Sequence, residues 1–322
     1  MKGFDPKWRD LPDYILGVTR EIWEERNIAR LNEYYASDIV VRSPGCVVLG
    51  NQAVIQATLA TLAQFPDRQL LGEDVICSGD EETGFLSSHR ILSTATHAMA
   101  GAFGAPAGKA LRYRTIADCA VRDNQIYDEW LVRDQGAIVR QLGVEPKCYA
   151  AELIEWEGGP HSCAEPWTRA RDVVGRYQGG GNKHPVGARY AGILQRIMDA
   201  DMAVISREYD RACQLELPGG ETGHGHGAAY QFWLNLLSAL PDAEFRIDHM
   251  IGRDDPGERP RAAMRWTLSG THDGWGAFGA PSGAPIDLLA ISHAEFGPRG
   301  LSREFVLIDE TAIWKQIALH TG

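Results

Sequence analysis

Ionisable side chains interrupt apolar rows on several segments that the sequence predicts to be strands. In FRIDHMIG, strict alternation puts His249 on the face of Phe245 and Ile247, and in IDLLAISHAEF it puts His293 beside Ile291. A buried carboxylate has a raised pKa and an imidazole is readily tuned near neutrality, so such positions suit proton transfer. The candidates are Asp74, His97 and Asp118 in the first half of the chain and His249, His272 and His293 in the second half.

An internal duplication relates these two sets. The hexamer GAFGAP occurs at residues 101–106 and again at 276–281, and a shift of 175 positions aligns the flanking sequence without a gap. A single His or Asp on an apolar face is more often a hydrogen-bonded core group, so a structural role stays open for each position. The matched pairs are Asp74 with His249, His97 with His272, and Asp118 with His293.

Each copy predicts the same series of elements. A long amphipathic helix comes first, then a helix that stops at Pro-Asp, then four strands, and finally a short helix capped by Asp134 or Asp309. The hexamer connects the second and third strands, where its glycines permit a tight path and Phe103 or Phe278 supplies an apolar plug. The predicted helices cover residues 21–36, 52–65, 193–209 and 227–240, and the strands of the first copy cover 70–77, 87–97, 110–121 and 126–133.

A segment rich in Gly, Pro and charge separates the copies. The runs EWEGGPHSCAEP and YQGGGNKHPVG are typical of a linker, and PWTRARDVVGRY at 166–177 predicts one short helix within it. The sequence therefore predicts a first domain at residues 1–146, a linker at 147–187 and a second domain at 188–322.

Both copies carry a series of motifs in the same order, namely THAMAGAFGAPAGK, IAD, DNQIYDEW and RDQGAIVRQLG in the first copy and RWTLSGTHDGWGAFGAPSG in the second. These motifs resemble the SnoaL-like polyketide cyclases, which belong to the nuclear transport factor 2-like superfamily. The resemblance implies an α+β fold in which a bent antiparallel sheet wraps around helices as a cone with an apolar pocket. It also implies that the two halves pair through their sheets as an intramolecular pseudo-dimer, with a homo-oligomer as a further option.

The same resemblance implies catalytic roles. In these enzymes a histidine and an aspartate handle protons during an aldol-type ring closure, and the first copy matches with His97 in ATH and Asp118 in IAD. We expect Asp118 to act as base, His97 as donor and Asp74 as a neighbour that tunes them. The second copy keeps His272 in GTH but has His293 where the aspartate would stand.

Further residues could bind a substrate or a metal. The expected substrate-binding residues are His249, Trp130, Trp266, Phe103 and Phe278, although a tryptophan at a strand end is as often plain core. The second-copy histidines, together with His224 and His226, also allow a zinc interpretation, but their spacing follows no known ligand pattern. We therefore expect no metal and no cofactor.

Composition narrows the class of partner. The 322 residues have a formal net charge of −11 and supply no basic face, which argues against nucleic acid and anionic membrane as partners. The N-terminal sequence MKGFDPKWRD lacks the apolar core of a secretory signal and no segment reaches the length of a membrane span, so a cytoplasmic location is expected.

Together these features predict a cofactor-free acid-base enzyme that acts on a small carbonyl compound. Cyclase, isomerase, lyase and hydrolase reactions can all begin with proton abstraction next to a carbonyl, and the sequence does not choose among them. The alternative is a module without turnover, in which one or both copies bind a small molecule or another protein.

Overall fold

The chain folds into two similar halves, each a six-stranded sheet wrapped on helices. The computed structural model describes residues 1–322. The strands of the first half are β1 (Tyr35–Ser43), β2 (Cys46–Leu49), β3 (Gln69–Asp80), β4 (Gly84–Thr96), β5 (Ala110–Arg122) and β6 (Gln125–Arg133). Those of the second half are β7 (Tyr209–Leu217), β8 (Glu221–His224), β9 (Glu244–Arg253), β10 (Arg261–Thr271), β11 (Pro285–Gly297) and β12 (Gly300–Leu307).

The two sheets have the same topology. Their strand orders are β2-β1-β6-β5-β4-β3 and β8-β7-β12-β11-β10-β9. All neighbours run antiparallel except β1 with β6 and β7 with β12, which are parallel. The expected α+β cones are therefore confirmed, but each sheet has six strands and one parallel pair, whereas the sequence did not predict β1 and β2 or their counterparts β7 and β8.

Nine α-helices accompany the sheets. The first half contains α1 (Leu11–Thr19), α2 (Leu31–Tyr34), α3 (Asn51–Gln64) and α4 (Gln135–Leu142), and α5 (Pro146–Trp156) follows it. The second half contains α6 (Pro185–Met198), α7 (Ala203–Glu208), α8 (Gly225–Ala239) and α9 (Glu310–Thr321). None of these helices combines the length and the apolar character needed to cross a bilayer.

The predicted second helices, strands and capped closing helices agree with the structure, whereas the first helices do not. Helix α1 begins at Leu11 because the Asp10 carboxylate accepts the backbone N–H of Asp13 (2.8 Å). The helical conformation is then interrupted at Arg26, whose φ of 60° is left-handed. Of the helix predicted over 21–36, the structure keeps as α-helix only the short α2. Ala200, with φ of 61°, interrupts the corresponding segment between α6 and α7.

The prediction of a linker helix at residues 166–177 is wrong. That segment is irregular, and the helix of the linker is α5 at its beginning. Side-chain and sheet-edge contacts hold the segment instead. Asp172 accepts from Arg42 (2.8 Å), and directly after the segment the backbone of Gly180 and Asn182 exchanges hydrogen bonds with Met250 at the edge strand β9. These tertiary contacts replace the intrahelical hydrogen bonds that the local pattern suggested.

Each sheet has two covered faces. Its inner face packs on the helices of its own half, and its outer face lies against the outer face of the other sheet. The largest apolar cluster of the second half has 30 buried residues, whereas the first half divides its interior between clusters of 18 and six. The first cone is correspondingly less filled, and it contains a cavity.

Candidate active site

The cavity has a volume of about 390 Å³ and lies inside the first cone. Its wall is formed by the inner face of β4, β5 and β6 on one side and by α1 and α3 on the other. Most of this wall is apolar, so it fits a small, largely apolar molecule. The apolar lining residues include Ile15, Val18, Trp23, Val54, Ile91, Ala117 and Leu131.

The strand register places three polar side chains on this wall. Cys119 is paired with Glu129, and Thr115 is paired with Arg133. On the other side of β5, Ala117 is paired with His89. Because side chains alternate along each strand, Glu129, His89 and Arg133 all point to the inner face. They line the cavity together with Thr115 and Cys119.

Glu129 is a buried carboxyl group on the cavity wall. It is 4% exposed, and its Oε2 atom has no hydrogen-bond partner in the protein. Burial raises its pKa to about 7, although a hydrogen bond with Tyr35 acts in the opposite direction. A carboxyl group with this pKa can both accept and release a proton near neutral pH.

His89 is a buried imidazole on the same wall. Its Nε2 atom has no hydrogen-bond partner in the protein. Burial lowers the pKa of His89 to about 4, so the ring is neutral at physiological pH. A neutral imidazole can donate a hydrogen bond to a substrate oxygen without introducing a charge into the cavity.

The second cone fills the equivalent space. Trp233 and Trp266 stand 175 positions after Thr58 and Ile91, and both indole rings are fully buried with centroids 6.2 Å apart. At the position equivalent to His89 the second copy has Met264. The two halves therefore share a fold but differ in their interiors.

Glu304, the counterpart of Glu129, is fully hydrogen-bonded. The hydroxyl groups of Tyr190 and Tyr209 donate to its two oxygens, each at 2.9 Å. Its pKa is raised to about 7 by burial, as for Glu129. The difference between the two carboxyl groups is thus one of access, because Glu129 lines the cavity, whereas Glu304 is completely buried between two tyrosine hydroxyls.

Residues beyond the first cone close the cavity. Helix α9 of the second half contributes Thr311 and Lys315, and α5 contributes Tyr149 and Leu153. The Lys315 ammonium forms an ion pair with Glu157 (2.5 Å), which joins the two helices. The candidate site is therefore built from both halves of the chain.

The structure places Asp118 and Asp74 between the two sheets, outside the cavity. Asp118 accepts from Arg265 of the second half (2.7 Å), and Asp74 lies 3.2 Å from Arg261. Burial raises the pKa of Asp118, and the Arg265 guanidinium opposes that rise. The expectation that these carboxylates face an apolar pocket is wrong.

His293 and His249 occupy the same interface. The Nε2 atom of His293 lies 2.8 Å from the Ser88 hydroxyl, and the Nε2 atom of His249 lies 2.8 Å from the Tyr177 hydroxyl. The predicted alternation is correct, but each sheet has an apolar row on both faces, because its outer face is buried as well. Alternation alone does not tell which row faces the interior.

His97 and His272 hold the repeated hexamer loops. The Nδ1 atom of His97 accepts from the backbone of Ala107 (3.3 Å), and the Nδ1 atom of His272 lies 2.9 Å from the Ser282 hydroxyl. Neither imidazole lines the cavity. Each imidazole therefore binds the loop that follows its own strand.

The aromatic residues predicted to bind substrate pack against other side chains of the protein. Phe103 stacks on Tyr149 with centroids 5.5 Å apart, and Phe278 is buried against Trp314. Trp130 lies in the interface under the Arg265 guanidinium (3.7 Å), and Trp266 belongs to the second core. None of them lines the cavity.

Sequence reasoning missed His89 and Glu129, although both carried a signal. His89 shares a face with Ile91 in HRILSTAT, and Glu129 recurs in the second copy as Glu304. The second-copy histidines do not form a set of metal ligands. Each of them has a different hydrogen-bond partner, and no three metal-binding side chains of the chain come together.

Comparison with known proteins identifies both halves. Residues 14–142 match the model of the SnoaL-like polyketide cyclases, and residues 191–301 match the model of the SnoaL-like domain. No curated protein matches the chain.

Several solved structures are similar to one half. IdmH from Streptomyces antibioticus, described as a candidate polyketide cyclase, is 24% identical with a TM-score of 0.36 over 41% of this chain and 98% of its own. A candidate polyketide cyclase from Acidithiobacillus ferrooxidans is 22% identical with a TM-score of 0.37 over 41% of this chain and 92% of its own. AclR from Streptomyces galilaeus, described as a candidate hydroxylase, is 18% identical with a TM-score of 0.36 over 42% of this chain and 98% of its own. On the two family matches, the chain belongs to the SnoaL-like family as two domains in tandem.

Proposed function

We propose that the first copy is an acid-base enzyme that acts on a small, largely apolar carbonyl compound. The observation that carries this proposal is the buried Glu129 carboxyl group, which has a pKa of about 7 and one oxygen without a partner on a cavity wall. Titratable groups with perturbed pKa values in a cavity are frequent catalytic groups. The cyclase model that matches this half agrees with such chemistry.

The proposed reaction begins with proton transfer to Glu129. The bond from carbon to hydrogen next to the substrate carbonyl breaks, the proton moves to Oε2 of Glu129, and the electron pair shifts to the carbonyl oxygen. His89 donates a hydrogen bond to the enolate oxygen as its charge develops. Two strand spacings separate β4 from β6, about 10 Å, which leaves room for a substrate between the two side chains.

Hydrogen exchange tests this first step without knowledge of the final product. A panel of small aromatic and alicyclic ketones in D2O would be followed by proton NMR for loss of the signal next to the carbonyl. Because the base is the ionised form of Glu129, the exchange rate should rise with pH and level off above about pH 7, following the pKa of about 7. His89, with a pKa of about 4, stays neutral through this range.

Two results would count against the proposal. One is a panel that binds without catalysed exchange, which would favour a binding module. The other is catalysed exchange with a flat profile between about pH 5 and pH 9, which would exclude a base of the Glu129 kind.

The second copy is proposed to support the fold and close the site. Because Trp233 and Trp266 fill its interior, the same residues should fill the first cone. We expect the double variant Thr58→Trp, Ile91→Trp to lose exchange activity while it keeps a cooperative thermal unfolding transition. The matched control is Leu59→Trp, an exposed neighbour on α3 (44% exposed), which should retain activity. Full activity in the double variant would place the site elsewhere.

A further inference from the structure

We propose that the cavity of the first copy holds the carboxylate group of its ligand against Arg68 and Arg133, so that the substrate is a small organic acid. The inference deepens the proposed function and rests on it for the ligand's role as a substrate. It is carried by two guanidinium groups on the cavity wall that have no acidic partner.

Arg68 differs from every other buried arginine of the chain. Its side chain is 5% exposed, and its Nε atom has no hydrogen-bond partner. The other four buried arginines each form an ion pair with a carboxylate, whereas Arg68 has only the Tyr113 phenol beside it. The four paired residues are Arg42, Arg90, Arg261 and Arg265. A buried cation without a counter-charge is unfavourable, and a bound anion would remove that penalty.

Arg133 adds a second uncompensated cation at the same end of the cavity. Its Nε atom is buried without a partner, and so is the Oγ1 atom of Thr115, which is paired with it across β5 and β6. Burial lowers the pKa of Arg68 to about 10, and the charge of Arg133 contributes to that shift. Arginine side chains stay cationic in proteins, so the two guanidinium groups repel each other until an anion lies between them.

The fold itself does not require these polar groups. In the second copy the positions of Arg68, Thr115 and Arg133 are occupied by small or apolar residues of the packed interior. The structure accommodates an uncharged residue at each of them. These replacements are Ala243, Ala290 and Ile308.

A carboxylate suits the donors that are present. Guanidinium groups bind planar two-oxygen anions through pairs of N–H bonds, and the Thr115 hydroxyl can add a third donor. The nearby acids do not neutralise the pair, since Glu157 binds Lys315 and Asp309 caps α9. Glu129 lies four residues before Arg133 on β6, about 13 Å along the strand, so the acid group and the reacting carbon lie at opposite ends of the ligand.

Calorimetric titration of the full chain with three matched probes tests the inference. The probes are 2-naphthoate, the neutral 2-naphthamide and 2-naphthyl phosphate. We expect the carboxylate to bind about tenfold or more tightly than the amide, as charge-assisted hydrogen bonds to arginine imply. Arg133→Ile and Arg68→Ala, which introduce the second copy's residues, should each weaken binding of the carboxylate by about tenfold and that of the amide much less.

Arg112→Leu is the matched control, because Arg112 is exposed on β5 and outside the cavity. Its affinity for 2-naphthoate should equal that of the parent protein. Any one of four results would overturn the assignment. They are equal affinity for the acid and the amide, higher affinity for the phosphate than for the carboxylate, an unchanged carboxylate affinity in both arginine variants, and no binding of the carboxylate at millimolar concentration. None of these outcomes bears on exchange catalysed by Glu129, so the two proposals fail separately.

Discussion

Glu129→Gln should lower the rate of hydrogen exchange by about 10²–10⁴-fold, the usual loss when a general base is removed. The amide is nearly the same size as the carboxyl group but does not accept a proton at neutral pH. Because Glu129 has a pKa of about 7, it is largely protonated just below neutrality, and the uncharged amide resembles that form. We therefore expect the variant to fold normally, as judged by circular dichroism and urea denaturation.

Glu304→Gln is the control that the duplication provides. Glu304 is also buried with a pKa of about 7, but both of its oxygens accept from tyrosine hydroxyls and it lies outside the cavity of the first cone. This variant should keep the exchange rate within about twofold of the parent, because it leaves the proposed base untouched. Equal losses in both variants would indicate a general structural effect, and an active Glu129→Gln protein would remove Glu129 from the mechanism.

Asp118→Ala should destabilise the protein by about 3–5 kcal/mol, because it leaves the Arg265 guanidinium buried without its counter-ion. Both side chains are nearly inaccessible, at 2% and 4% exposure, and the ion pair joins the two sheets. The free energy of unfolding from urea denaturation measures the effect. For comparison, Asp38→Ala breaks the exposed pair of Asp38 with Arg176 and should cost at most about 1 kcal/mol.

A double replacement separates the ion pair from simple packing. Asp118→Leu combined with Arg265→Met removes both charges, and it should recover most of the stability lost in Asp118→Ala. The same experiment examines the role that sequence resemblance implied for Asp118. If the double variant is stable and still catalyses exchange, Asp118 acts in the interface alone, whereas a stable but inactive protein would return it to the mechanism.

The fold was largely predictable because its signals are local and occur twice. The strands, the helices that stop at Pro-Asp and the caps at Asp134 and Asp309 all appear in the structure. The errors fell where tertiary contacts outweigh local pattern. The linker segment 166–177 binds Arg42 through Asp172 and contacts β9 through Tyr177 instead of forming a helix, and the first predicted helix is broken at Arg26.

The site was not predictable, because the sequence does not mark which face of a sheet turns inward. Asp118 and His293 lie on apolar rows as expected, but these rows meet the other sheet. His89 and Glu129 occupy the alternate rows, which are equally apolar. The decisive information is the packing of one copy against the other, and it involves residues that are more than a hundred positions apart in the chain.

Covalent fusion of the two copies has a consequence for stoichiometry. Two identical subunits would have the same interior residues, so that either both would contain a cavity or neither would. In a single polypeptide the equivalent positions can carry different residues, as Thr58 and Trp233 do. One half can therefore have a filled interior and still close the cavity of the other half with α9. Each molecule should then saturate at one equivalent of ligand, although its architecture is that of a pair.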